Sequence, residues 1–263
     1  YKDNKKWLWL LSVLYPTVGI SGLWMHYQTQ NSLWLLYPFV ITYVFTPFLD
    51  MYFGEDNSNH PDEVQSSLEK TPYYKILTFI AVPIHIFIFF IAAFYIGLMP
   101  LSLLEILLIS ASAGLVSGIA INTGHELGHK KTKIERGLAK IVLSIPAYGH
   151  FTIEHNRGHH SNVSTPEDAA SAKMGENIYE FALREMPESF KNAISIEKKR
   201  LHRVGKSFWC FDNELMQSFA LTLIFQVGLI ISLALLWSLS CSYIIYLHGG
   251  NLLVRIISNI MVC

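Results

Sequence analysis

The chain has 263 residues, and its composition excludes an ordinary soluble protein. Hydrophobic residues make up 51% of the sequence and charged residues only 15%, a balance that is typical of membrane proteins. Lysine plus arginine equals aspartate plus glutamate at 20 each, so the chain lacks the basic excess of nucleic-acid-binding proteins, and we predict no nucleic-acid partner.

Five apolar segments are long enough to cross a membrane, which takes about 20 residues. The first follows three lysines, as a signal peptide would, but no small-residue cleavage site follows it, so we interpret it as a span. A shorter apolar piece occupies residues 252–263. We therefore predict a single all-α integral membrane domain over residues 1–263, a bundle of five transmembrane helices. The predicted spans are residues 7–25, 33–53, 76–99, 101–123 and 215–247.

Basic residues indicate the orientation of this bundle. Three precede the first span, two lie between the second and third, and fourteen lie in residues 124–214, which places 19 of the 20 on one side. By the positive-inside rule that side faces the cytoplasm. We predict that residues 124–214 form a cytoplasmic segment. Its apolar stretch at 141–153 is too short to cross, and we interpret it as a re-entrant or interfacial piece.

Two clusters of histidines lie within the predicted cytoplasmic segment. His125 and His129 are four residues apart, and His155 and His159 repeat this spacing with His160 beside them. On a helix, a spacing of four places both imidazoles on one face. Imidazole is a common nitrogen ligand of iron, zinc and copper. The five histidines are therefore the predicted metal ligands.

The first cluster also satisfies the His-Glu-x-x-His pattern of zinc proteases, in which the glutamate is the general base. An intramembrane zinc metalloprotease is therefore an alternative. Such a site needs one further ligand, usually a carboxylate, whereas three more histidines follow here. The Pro-x-x-x-Leu-Asp-Gly element expected in intramembrane proteases does not follow the motif. Five histidines exceed the need of one catalytic zinc ion and suit a site with two metal ions. A fragment that binds metal without catalysing a reaction is a further alternative.

Longer runs around both clusters resemble the first and second histidine boxes of the bacterial alkane 1-monooxygenase family. These runs are Asn122-Thr-Gly-His-Glu-Leu-Gly-His-Lys130 and Glu154-His-Asn-Arg-Gly-His-His160, with supporting matches at residues 49–56, 148–151 and 211–214. The likeness extends from the first span to about Ser240. It implies a six-helix membrane bundle with metal ligands on the cytoplasmic side.

The spacing within the second box separates it from most membrane desaturases. Three residues lie between His155 and the His159-His160 pair, whereas those desaturases have two. A related histidine-box fatty-acid hydroxylase or desaturase is nevertheless kept as an alternative.

The same resemblance implies two further histidine elements, of the types Asn-Tyr-x-Glu-His-Tyr-Gly and Leu-Gln-Arg-His-x-x-His-His. Neither occurs in this sequence, and only His202 and His248 follow His160. We expect the chain as given to supply only part of the metal site. A truncated or frame-altered chain, inactive by itself, is one interpretation of this departure.

By resemblance, the expected activity is the O2-dependent terminal hydroxylation of n-alkanes to 1-alkanols at two non-haem iron ions. The expected location is the bacterial inner membrane, with the metal site facing the cytoplasm. Glu126 and Glu154 adjoin predicted ligands and are the candidate catalytic residues, either as acceptors that orient imidazoles or as bridging carboxylates. Ordinary helix-surface charge is the alternative interpretation of both.

Electrons for this reaction must come from another protein. The chain has no Gly-x-Gly-x-x-Gly nucleotide fingerprint and no Cys-x-x-Cys pair. By resemblance, the donor is a separate rubredoxin served by its reductase. The basic run from Lys198 to Arg203, together with Lys206, is a candidate docking surface for an acidic donor, or else an anchor to anionic lipid.

The predicted spans also contain features that bear on the substrate. An n-alkane dissolves in the bilayer, and the aromatic side chains of the first three spans either wall a channel for it or face lipid. His85 and Asp50 are polar groups within predicted spans, and such groups serve either a functional site or hydrogen bonds between helices.

Overall fold

The structure is a computed structural model that describes residues 3, 5–55 and 61–235. Every regular element in these ranges is helical, and five helices are long and apolar enough to cross a membrane. The predicted all-α membrane fold is therefore confirmed. The five are α1 (Leu8–Thr29), α2 (Ser32–Phe53), α4 (Pro72–Leu98), α5 (Leu103–Gly128) and α9 (Glu214–Leu235). Between them lie α3 (Asp62–Glu69), α6 (Lys133–Ser144), α7 (residues 151–162) and α8 (Ile178–Arg203).

Helix α5 departs most from its predicted boundaries. It begins with a capping box, in which the Ser102 hydroxyl accepts from the Glu105 N–H and the Glu105 carboxylate accepts from the Ser102 N–H. It continues five residues beyond the predicted end of the fourth span and finishes at Gly128. The first histidine cluster therefore lies on the last turn of a spanning helix. The last predicted span is described only to Leu235, and residues 252–263 lie outside the described residues.

A buried polar cluster ties the first spans together at the end of the bundle opposite the histidine clusters. The Nε2–H of His26 on α1 donates to Glu105 on α5 at 3.1 Å, and Nδ1 accepts from the Tyr95 hydroxyl on α4 at 2.7 Å. The hydroxyl of Ser32, at the start of α2, donates to the same Glu105 carboxylate. Because every partner is satisfied, these bonds are favourable in an apolar environment.

Helix α6 packs against α4 and α5 at the histidine end of the bundle. Thr132 caps its first turn by accepting from the Glu135 N–H. Its apolar face joins a buried core with both spans, which includes Val82, Ala120, Leu127, Ala139, Val142, Leu143 and Ile145. The apolar stretch at 141–153 comprises the end of α6, a turn and the start of α7. That turn returns the chain to the end of α5.

The contact between α5 and α6 depends on Gly124. A Cβ at this position would lie 2.5 Å from Cγ of Leu143, which is fully buried and has no room to move aside. A Cβ at Gly118, on the same helix, would have no atom within 4 Å. Close packing at Gly124 is therefore a specific requirement of this interface.

We predict that Gly124→Ala lowers the free energy of unfolding by about 1–3 kcal/mol, because overpacking forces the two helices apart. Thermal unfolding of the purified protein in detergent, followed by tryptophan fluorescence, measures the change. The matched control Gly118→Ala should leave the melting temperature unchanged or raise it, since alanine favours a helix. Equal melting temperatures for the two variants would contradict this packing.

Candidate metal centre

Four histidine side chains converge where the last turn of α5 meets α7. Nε2 of His129 lies 3.1 Å from Nε2 of His125 and 3.2 Å from Nε2 of His155. Nε2 of His160 lies 3.1 Å from Nε2 of His155. His125, His129 and His155 each offer a ligand nitrogen within 4.8 Å of the other two. Metal–imidazole bonds are about 2.0–2.1 Å long, so nitrogens with this spacing fit around a transition metal.

Two imidazoles of this group have lowered pKa values. Burial lowers the pKa of His155 to about 4, and the neighbouring His125 and His160 act in the same direction. Burial is also the main cause of the lowered pKa of His129, with His125 and His160 again contributing. Neutral imidazole is the form that binds metal. At neutral pH these two side chains therefore have a lone pair available for an ion.

The second cluster lies on a π-helical turn. Residues Phe151–Glu154 are α-helical, but His155–His159 form a π-helix, a rare conformation that occurs often at functional sites. This turn places His160, five residues after His155, with its ligand nitrogen against that of His155. The spacing-based prediction paired His155 with His159. The ring of His159 instead stacks on the ring of His155, with centroids 5.3 Å apart, and Nδ1 of His159 contacts Asp168.

Neither predicted catalytic carboxylate forms a hydrogen bond with a histidine in the described part of the chain. Glu126 is half exposed and forms an ion pair with Lys130 at 2.7 Å. Glu154 is buried, and its Oε1 has no hydrogen-bond partner. Burial, followed by the charge of Asp168, raises the pKa of Glu154. Gly158 leaves room for this carboxylate, because a Cβ there would lie 2.7 Å from Oε1.

Asp168 is the carboxylate that contacts a candidate ligand. Nδ1 of His159 donates to its Oδ2 at 2.9 Å, and the Asp168 side chain is fully buried. Burial alone would raise the pKa of Asp168, but hydrogen bonds from Ser171, His159 and the Ala170 N–H lower it. Asp168 lies in a loop nine residues after His159, so no helical spacing connects the two and the sequence pattern did not indicate this contact.

Arg157, between two candidate ligands, ties α7 to α8 and α9. Its guanidinium donates to both carboxylate oxygens of Glu214 at 2.9 and 3.0 Å and to Glu197 at 3.4 Å. Glu197 is fully buried and also accepts from Arg200 and from the Glu214 N–H. Burial would raise the pKa of Glu197, but these hydrogen bonds outweigh burial and lower it. The network fixes the second cluster against the start of the last described span.

Comparison with known proteins identifies the family of this chain. A family model described as fatty acid desaturase matches residues 101–261, more than half of the chain and including both histidine clusters. The chain belongs to the fatty acid desaturase family. This desaturase-family chain is also 46% identical to alkane 1-monooxygenase 1 of Alcanivorax borkumensis and to alkane 1-monooxygenase of Ectopseudomonas oleovorans. Each alignment covers 88% of this chain and 57% of the relative.

A more distant relative is the xylene/toluene monooxygenase hydroxylase component of Pseudomonas putida. It is 27% identical over 80% of this chain and 55% of its own length. The resemblance to alkane 1-monooxygenases that the two histidine boxes indicated is confirmed by these similarities. The desaturase-family chain spans a little over half the length of these relatives.

We predict that Glu197→Ala lowers the free energy of unfolding by about 1–3 kcal/mol, because Arg157, Arg200 and the Glu214 N–H lose the buried acceptor that they share. Chemical unfolding in mixed micelles measures this loss. The control Asp212→Ala removes an exposed ion pair with Lys206 and should leave stability near that of the unchanged protein. Similar stability of both variants would show that the Glu197 network does not hold these helices together.

Proposed function

We propose that this chain is the membrane domain of a non-haem di-iron monooxygenase that converts n-alkanes into 1-alkanols with dioxygen. The convergence of histidine nitrogens at the junction of α5 and α7 is the observation that supports this function most strongly. The names of the alkane 1-monooxygenases, which are similar over 88% of this chain, support the substrate class.

The proposed iron ligands are the five histidines of the two clusters, His125, His129, His155, His159 and His160. Bound iron supplies the activation of dioxygen, which no protein side chain can perform on its own. The protein contributes the ligands and their orientation. Four of the imidazoles meet through Nε2, and the Arg157 network holds the helix that carries three of the five. Glu126 and Glu154 remain candidates for roles near the metal.

Two small apolar cavities, of about 20 and 10 Å³, lie along the proposed path of the alkyl chain, and side chains must move to widen them because each holds only about one water molecule. One lies between α1, α2, α4 and α5 and is lined by residues that include Leu23, Leu35 and Ile109. The second shares Ile88 and Val116 with the first and lies closer to the histidine end. Apolar walls of this kind favour a saturated hydrocarbon, because it has no polar group that would need a hydrogen-bond partner in the cavity.

The second cavity ends near a polar group of α4. His85 lines it, and Nε2 of His85 lies 3.4 Å from the hydroxyl of Thr123, which is two residues before His125. The aromatic side chains Trp24, Tyr43 and Phe87 are exposed on the outside of the bundle, which favours their contact with lipid over a role in the channel. The proposed path for the alkane is therefore aliphatic for most of its length.

The proposed electron donor is rubredoxin with its reductase, and the end of α8 is its proposed docking surface. Arg200 points inward to Glu197, and Lys206 pairs with Asp212. The remaining basic side chains of the run are exposed: Lys198, Lys199, His202 and Arg203. An acidic donor would be attracted to this surface. Glu197 lies on the same helix as this surface and accepts a hydrogen bond from Arg157, which lies between His155 and His159 of the second histidine cluster.

The location that fits this function is the bacterial plasma membrane. Residues 124–214 would then form the metal-binding segment on the cytoplasmic side, where a soluble donor can reach it. The distribution of basic residues supports this orientation, since 19 of the 20 lie on that side.

The geometry favours this function over a zinc protease. In a His-Glu-x-x-His protease the glutamate acts as a base on metal-bound water. Glu126 instead forms an ion pair with Lys130, and a fourth histidine nitrogen joins the group. The desaturase family model favours one further candidate, oxidation of a fatty acyl chain. Offering octane and a fatty acid to the same preparation separates these two activities by their products.

We predict that His155→Ala abolishes 1-octanol formation from octane, because Nε2 of His155 lies against those of two other proposed ligands. The assay uses membranes containing the full-length protein, with rubredoxin, its reductase and NADH, and product is measured by gas chromatography. Lys191→Ala, which changes an exposed side chain of α8 outside the cluster and outside the basic run, should retain activity. Octanol formation by His155→Ala, or none by the unchanged protein, would refute the proposal.

A further inference from the structure

The loop between α7 and α8 places the buried carboxylate of Asp168 beside the second histidine cluster. Asp168 accepts four hydrogen bonds in this loop: Nδ1 of His159 donates to both oxygens, the Ala170 N–H donates to Oδ1, and the Ser171 hydroxyl donates to Oδ2. The Asp168 side chain is fully buried. With so many donors around it, the carboxylate has a fixed orientation.

Helix α8 holds this loop in place through Arg184. Its guanidinium donates to the carbonyl oxygens of Ala169 and Ser171, the residues on either side of Ala170, at 3.0 Å each. It also forms an ion pair with Glu176 at 2.7 Å. The position of Asp168 is therefore set from outside the cluster by a side chain with several simultaneous bonds.

The contact with Asp168 determines which nitrogen of His159 carries the hydrogen. An ionised carboxylate can only accept, so Nδ1 of His159 must be the donor. In neutral imidazole the other nitrogen, Nε2, then has the free lone pair. Nε2 is also the atom through which His125, His129, His155 and His160 meet.

We propose that Asp168 is a positioning residue, which fixes the tautomer and ring orientation of His159 so that Nε2 acts as a metal ligand. The inference rests on the metal site of the proposed function but not on its substrate. It assigns to Asp168 the orienting role that the sequence indicated for Glu126 and Glu154. Loss of such an outer partner typically weakens metal binding about ten- to a hundredfold.

The substitution Asp168→Asn tests this role with almost no change of shape. The Ala170 N–H can only donate, so it keeps the amide oxygen at the position of Oδ1. The amide nitrogen then takes the position of Oδ2, which is closer to Nδ1 of His159 than Oδ1 is, at 2.9 Å against 3.1 Å, and two N–H donors cannot face each other at that distance. There it donates to Nδ1, and the ring hydrogen moves to Nε2. In that tautomer Nε2 has no lone pair for a metal.

Two measurements on the full-length protein report this change. The first is solid-state NMR of metal-free protein in lipid with ¹⁵N-labelled histidine, where His159→Gln identifies the signals of His159. We expect a protonated Nδ1 in the unchanged protein and a protonated Nε2 in Asp168→Asn. The second is titration with Co²⁺ followed by visible absorption, where we expect about ten- to a hundredfold weaker binding in the variant.

The control variant is Ser171→Ala. It removes one donor to Asp168 but leaves the carboxylate as acceptor for His159, so tautomer and Co²⁺ affinity should remain near those of the unchanged protein. An unchanged tautomer in Asp168→Asn, or equal Co²⁺ affinity in Asp168→Asn and Ser171→Ala, would overturn the assignment. Neither measurement involves alkane oxidation. A protein that meets both expectations yet oxidises no alkane therefore refutes the proposed function and not the role of Asp168.

Discussion

The structure around the histidines depends on the close approach of α6 to the last turn of α5 at Gly124. Leu143 occupies the space that a side chain at this position would fill. With α6 packed there, the turn that follows it brings α7 directly against the end of α5. The two histidine clusters, 26 residues apart in sequence between His129 and His155, then meet with nitrogens 3.2 Å apart. Gly124 thus allows the close packing of α5 and α6 that accompanies the meeting of the two clusters.

Local sequence patterns predicted the helical fold but not the way in which the second histidine cluster is arranged. Apolar segments of about 20 residues identify spans because a lipid environment leaves few alternatives to a helix. In the structure the Nε2 atoms of four of the five predicted ligands lie close together. The π-turn at His155–His159 was not predicted, because helical periodicity assumes an α-helix throughout. The contacts of Arg157 with Glu214 and of His159 with Asp168 also depend on tertiary packing.

Apolar packing positions the first histidine cluster, and polar interactions outside the spans add to apolar packing in positioning the second. His125 lies on a spanning helix whose partners are α4 and α6, and its place follows from the core around Leu127 and Leu143. Helix α7 packs Ile153 against Ala193 of α8 and Leu215 of α9, and ion pairs and hydrogen bonds also connect it to α8, α9 and the Asp168 loop. Directional bonds fix side-chain orientation more closely than apolar contacts do. Directional bonds therefore suit a segment whose imidazoles would have to point at the same metal ions.

We propose that these histidines hold an iron pair, and the metal content of the purified full-length protein is the most direct test. Elemental analysis combined with X-ray absorption at the iron edge gives both the amount of metal and its ligands. We expect close to two irons per chain, with imidazole nitrogens among their nearest neighbours. A single zinc ion per chain, or iron without nitrogen ligands, would contradict it.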